Sequence, residues 1–168
     1  RAAPILGIIF TLLLGEIAHA QCELQRIFAA DGLTGDQFGD AVAISGALAV
    51  VGASRHDLLG NASGAAYVFV AVFDEGSGTW RWGQGARLFA AEGAAGDLFG
   101  LAVAIEADSP DGAYVVVGAP NDDHDAGVDA GSVYVFRRQP DGKGWVWVEE
   151  ETLRAGDAAA GDLYGQAV

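Results

Sequence analysis

The constraint that dominates this chain is internal repetition, because a sequence that copies itself at a fixed period builds its fold from copies of one unit. The stretch Phe28-Ala29-Ala30-Asp31-Gly32-Leu33-Thr34-Gly35-Asp36-Gln37-Phe38-Gly39 returns as Phe89-Ala90-Ala91-Glu92-Gly93-Ala94-Ala95-Gly96-Asp97-Leu98-Phe99-Gly100. Its second half returns once more as Ala158-Ala159-Ala160-Gly161-Asp162-Leu163-Tyr164-Gly165. The signature Gly-Asp-x-(Phe/Tyr)-Gly therefore opens at Gly35, Gly96 and Gly161, with spacings of 61 and 65 residues. Four more blocks follow in the same order in both complete copies. Ala41-Val42-Ala43-Ile44 matches Ala102-Val103-Ala104-Ile105, and Ala167-Val168 begins the same element again. Val50-Val51-Gly52-Ala53-Ser54 matches Val116-Val117-Gly118-Ala119-Pro120. Gly64-Ala65-Ala66-Tyr67-Val68-Phe69 matches Gly131-Ser132-Val133-Tyr134-Val135-Phe136, and Trp80-Arg81-Trp82 matches Trp145-Val146-Trp147.

Each copy reads as four short strands, in the first copy around residues 38–44, 47–52, 65–72 and 79–89. β-branched and aromatic residues fill these runs and glycines and acidic residues separate them, which is the pattern of strands and turns. No segment after residue 22 carries a helical stripe. A four-stranded unit recurring in this way is a β-propeller blade, and a ring typically takes about 4–8 of them. The expected fold class is thus all-β: a partial β-propeller of two blades plus the start of a third. The blades are expected at about residues 26–88, 89–152 and 153–168, the last truncated. Its first partners are then the remaining blades of the same full-length chain, and residues 21–168 alone should be unstable or aggregate through an open blade face.

Phe38-Gly39, Val51-Gly52-Ala53, Phe99-Gly100 and Gly118-Ala119-Pro120 resemble the FG-GAP repeat, the unit of the integrin α-chain propeller and of many bacterial secreted proteins. The first copy departs from the pattern with Ser54 in place of Pro, and the third with Tyr164 in place of Phe. The resemblance covers about residues 26–168 and implies a seven-bladed ring in the full protein. It also implies where calcium would sit: in an acidic loop between the first two strands of a blade.

The N-terminus reads as an address. Arg1 precedes an apolar run over residues 5–14, too short for a membrane span of about 20 residues, and Ala18-His19-Ala20 provides a small-x-small cleavage site before Gln21. Residues 1–20 are thus expected to be a secretory signal peptide, and residues 21–168 a secreted, extracellular or cell-surface segment that does not insert into a membrane. The chain has no Met and begins at Arg1, so a longer reading frame is expected. The net charge of −14 argues against nucleic acid, whose phosphates attract Lys and Arg. Cys22 is the single cysteine, which excludes an internal disulfide; in an oxidising compartment it is expected to pair outside these residues.

Calcium needs 6–8 oxygen ligands, which closely spaced carboxylates supply. The first copy has only a tight Ser45-Gly46 connection where such a loop belongs. The second has residues 106–114, in which Asp108 and Asp111 are weak metal candidates, although Asp108 is out of step with the motif and Pro110 intrudes. A Pro-Asp-Gly turn is the plainer reading. The acidic loop 121–129 adds Asp123 and Asp125 as candidates. The recurring Asp36, Asp97 and Asp162 are expected to bond turn amides rather than ions, since every copy has one. Trp80 with Trp82, and Trp145 with Trp147, lie two apart, on one face of a strand; they are expected to pack, with an aromatic sugar platform as the alternative. Asn61-Ala62-Ser63 is a glycosylation sequon.

No nucleophile elbow, zinc-protease helix or phosphate-binding loop is present, and no catalytic residue or organic cofactor is expected. The function expected is a non-catalytic propeller scaffold for protein or glycan binding, or adhesion. The alternatives are an accessory propeller of a larger secreted enzyme, or a structural surface protein without a discrete ligand.

Overall fold

The computed structural model describes residues 25–107 and 112–168. Residues 1–20, expected to be a signal peptide, Cys22 and the candidates Asp108 and Asp111 lie outside the described residues. Two four-stranded antiparallel sheets carry the fold, each a simple meander. The first holds β1 (Phe38–Ser45), β2 (Leu48–Ala53), β3 (Ala65–Asp74) and β4 (Thr79–Leu88). The second holds β5 (Ala102–Glu106), β6 (Tyr114–Ala119), β7 (Ser132–Pro140) and β8 (Trp145–Leu153). The described residues contain no helix. All four strands of the leading copy fall within two residues of the spans expected from sequence.

The β1–β2 connection differs slightly from its expected place. Ser45 pairs with Leu48, so the two-residue turn is Gly46-Ala47. Gly46, at φ 56°, supplies the positive φ that such a hairpin turn requires. β4 and β8 each bulge at the same point. Gln84 and Ala86 oppose the adjacent Phe69 and Val68, as Glu149 and Glu151 oppose Phe136 and Val135. One extra residue, Gly85 or Glu150, is thereby left in the outer strand.

Strand alternation divides each sheet into two faces. Val50 and Val68 lie on the trailing face of the first sheet, and Val115, Val117, Tyr134 and Phe136 on the leading face of the second. These faces pack against each other with Leu88 and Phe99 to form one buried core. The leading face of the first sheet has a different cover. Val51, Tyr67 and Phe69 are closed over by Ile27 and Ala29 from the chain's own lead-in, residues 25–37, and by Phe38 at the start of β1. Val42 and Ile44 on that face stay 63 % and 64 % exposed, whereas their counterparts Val103 and Ile105 are half-buried in the joint between sheets.

Candidate functional site

The Gly-Asp-x-(Phe/Tyr)-Gly turns form the joints. In each, the Asp carboxylate accepts an amide three residues back: Leu33 at 2.7 Å for Asp36, Ala94 at 2.6 Å for Asp97 and Ala159 at 2.7 Å for Asp162. The next residue is left-handed in every copy, with φ 56° at Gln37, 57° at Leu98 and 55° at Leu163. In the second and third copies that twist lays the turn along a loop of the preceding blade. The amides of Gly96, Leu98 and Phe99 donate to the carbonyls of Asn61, Ala62 and Ser63. Gly161, Leu163 and Tyr164 repeat this on Val128, Asp129 and Ala130.

The name-giving glycines meet at these joints. A Cβ on Gly52 would overlap the carbonyl oxygen of Gly100, and one on Gly118 would overlap that of Gly165. Backbone therefore touches backbone, which only glycine permits. Ser54, where the second copy has Pro120, has a local reason. Its hydroxyl bonds the Asp40 carboxylate, and the residue matching Asp40 in the second copy is the apolar Leu101.

Two loops cross the same end of the blades, residues 55–63 and 121–130, and they share one hydrogen-bonded frame. Asp57 accepts the Ala62 amide and Asp123 the Asp129 amide, both at 2.8 Å. The carbonyls of His56 and Asp122 accept the amides of Gly64 and Gly131. His56 and Asp122 are thus structural equivalents, an identity swap hidden by the two histidines His56 and His124 in these loops. His124 instead braces its own loop through Gly131 O and the Ala126 amide.

Behind the loops the electrostatics differ. In the first blade the Tyr67 hydroxyl donates to Asp31 at 2.9 Å, and Arg87 pairs with the same carboxylate. Burial would raise the Asp31 pKa, but the Tyr67 hydroxyl, a backbone amide and Arg87 hold it below the usual aspartate value. His56 Nε2 stands 3.8 Å from Asp31 and 3.9 Å from Asp36, while its Nδ1 is buried without a partner. In the second blade the Tyr134 hydroxyl donates to Asp122 at 3.0 Å, and among the described residues no ion pair to Asp122 is formed. Burial pushes Asp97 above the usual aspartate value, and the negative Asp122 and Asp123 push the same way. Burial and the neighbouring carboxylates raise the pKa of both tyrosines.

Of the metal candidates within the described residues, Asp123 caps its own loop and Asp125 is exposed. Among the described residues no three His, Cys, Asp or Glu side chains are grouped to hold a metal. The tryptophans divide by depth. Trp82 and Trp147 pack against the two cores, Trp80 lies edge-on to Phe73 at 5.5 Å, and Trp145 sits 4.6 Å beneath the Arg138 guanidinium. No helix of the described residues is long and apolar enough to cross a membrane.

The Asp31–Tyr67–Arg87 network escaped sequence reasoning, because its members come from the lead-in and from two strands. The signal for it was present only as tyrosines at matching positions.

Stacked four-stranded meanders, joined by a glycine-to-glycine contact and bearing variable loops at one end, define a partial β-propeller. A comparison with family models matches the FG-GAP repeat at residues 22–69 and 82–136. The chain belongs to the FG-GAP repeat family. A comparison with curated proteins finds no match.

Proposed function

We propose that this chain is part of a secreted or cell-surface propeller that serves as a non-catalytic scaffold for protein or glycan binding. One observation carries the reading. Loops 55–63 and 121–130 keep the same backbone frame while their side chains change, from Arg55, His56 and Leu59 to Asn121, Asp122 and Asp125. A frame that tolerates such change lets recognition vary without cost to the scaffold. The open leading face with Val42 and Ile44 fits a ring completed by further blades of the same protein. Calcium in residues 106–114 or 121–129 would stiffen these loops, and isothermal titration of the full-length protein tests it.

The functional test replaces residues 121–130 with the sequence of residues 55–63 in the full-length protein. Binding is then measured to purified extracellular glycoproteins and to a glycan array. The expected result is binding by the native protein and its loss in the loop variant, with the melting temperature within a few degrees. Absence of any binding by the native protein would overturn the reading, and binding indifferent to the loop would overturn the loops' part in it.

A further inference from the structure

Each blade also carries a groove at the same outer position, away from the loops. In the second blade it measures about 310 Å³ and is lined by Arg87, Phe89, Phe136, Trp147 and Glu149 among others. In the first it measures about 170 Å³ and is lined by Arg26, Phe28, Phe69, Trp82 and Gln84 among others. These are the same five positions of the repeat. Phe69 and Phe136 form a buried floor, and Trp82 and Trp147 a half-buried wall. Phe28 and Phe89 stand at the mouth, 70 % and 41 % exposed. The polar member is fixed in place: Gln84 Oε1 accepts the Ala30 amide at 2.9 Å, and Glu149 Oε2 the Ala91 amide at 3.1 Å. Arg87 is anchored by Asp31.

We propose that these grooves are subsites for neutral pyranose residues of a glycan, one per blade. The proposal rests on the binding-scaffold reading and gives it a ligand class and a place. A pyranose presents an apolar C–H face and a rim of hydroxyls. The exposed phenylalanine and the tryptophan wall accept the face, while the fixed amide or carboxylate and the arginine meet the rim. An aromatic groove also suits a proline-rich segment. Recurrence once per blade, with a polar partner at the same position each time, favours a small unit repeated along its own chain. The net charge of −14 disfavours acidic sugars. In the third copy Thr152 and Arg154 stand where the arginine and the phenylalanine would, so the proposal is confined to the first two blades.

The test is calorimetry and tryptophan fluorescence on the full-length protein. The probes are neutral oligomers of glucose, mannose, galactose and N-acetylglucosamine, with sialylated and sulfated oligosaccharides as controls. A neutral oligomer should quench tryptophan emission, and Phe28→Ala with Phe89→Ala should weaken binding at least tenfold without moving the melting temperature by more than a few degrees. Phe28→Leu with Phe89→Leu, which keeps bulk but removes the aromatic face, should weaken it similarly and guards against misfolding of the alanine variant. Neutral-glycan binding unchanged in both variants overturns the subsites and leaves the scaffold reading intact. The same holds if only proteins, proline-rich peptides or acidic glycans bind.

Discussion

The two blades share strand order, bulge position and joint geometry, yet their leading faces live in different surroundings. In the second blade Phe99 is 1 % exposed, edge-on to Tyr134 at 5.4 Å and to Phe136 at 6.0 Å. In the first, Phe38 meets Tyr67 and Phe69 at 5.7 and 6.1 Å but remains half-exposed. The aromatic contact is therefore intrinsic to one blade, whereas the burial is a gift of the neighbour. What a blade builds alone is a sheet with a half-wrapped face; what a pair builds is a core.

The largest expected effect tests that division directly. Phe99→Ala should destabilise the protein by about 3–5 kcal/mol, as deletion of a buried aromatic does. Phe38→Ala should cost clearly less in any form of the protein where the leading face stays open. Denaturant melts of both variants in the full-length protein measure the difference, and equal losses would show that a further blade covers Phe38 there.

Charge insertion sharpens the same comparison. Val103→Asp places a carboxylate in the joint and should cost about 1–3 kcal/mol. Val42→Asp should match it if a neighbour caps the first blade, and should be nearly silent if none does.

The tyrosines separate the blades by electrostatics. Tyr134→Phe leaves Asp122 buried and without its donor, at about 1–3 kcal/mol. Tyr67→Phe leaves Asp31 with Arg87 still beside it, so the loss should be smaller. Equal losses in the two blades would remove the distinction.

The smallest effect is in pH dependence, and it has opposite signs in the two blades. Asp31 is held below its unfolded value of 3.8, so its stabilisation is present above that pH and fades as pH falls through the lower folded value. Asp97 is raised above its unfolded value of 3.8, so its contribution is present below that pH and is lost as pH rises through the higher folded value. Asp31→Asn should therefore lower the melting temperature at neutral pH, and Asp97→Asn should raise it slightly. Melts between about pH 3 and 7 would expose a wrong sign in either.

Much of this was legible in the sequence, since repetition exposes what one copy conceals. The strand spans followed from Val-Val-Gly-Ala and Tyr-Val-Phe, and the structural role of Asp36, Asp97 and Asp162 followed from their recurrence. The His56–Asp122 equivalence was not legible, because the two loops differ in length and composition. The grooves were not legible either. Their walls come from a lead-in and two strands whose spacings differ between copies, and exposure of Phe28 and Phe89 depends on packing that no single segment encodes.

The touching glycines at Gly52–Gly100 and Gly118–Gly165 have a consequence for how such a protein changes over time. The step from one blade to the next is gauged by main chain against main chain, without an intervening side chain. Substitutions in the apolar layer between blades can then accumulate without altering the angle at which successive units are set. A ring assembled on that gauge keeps its circumference while its rim diversifies.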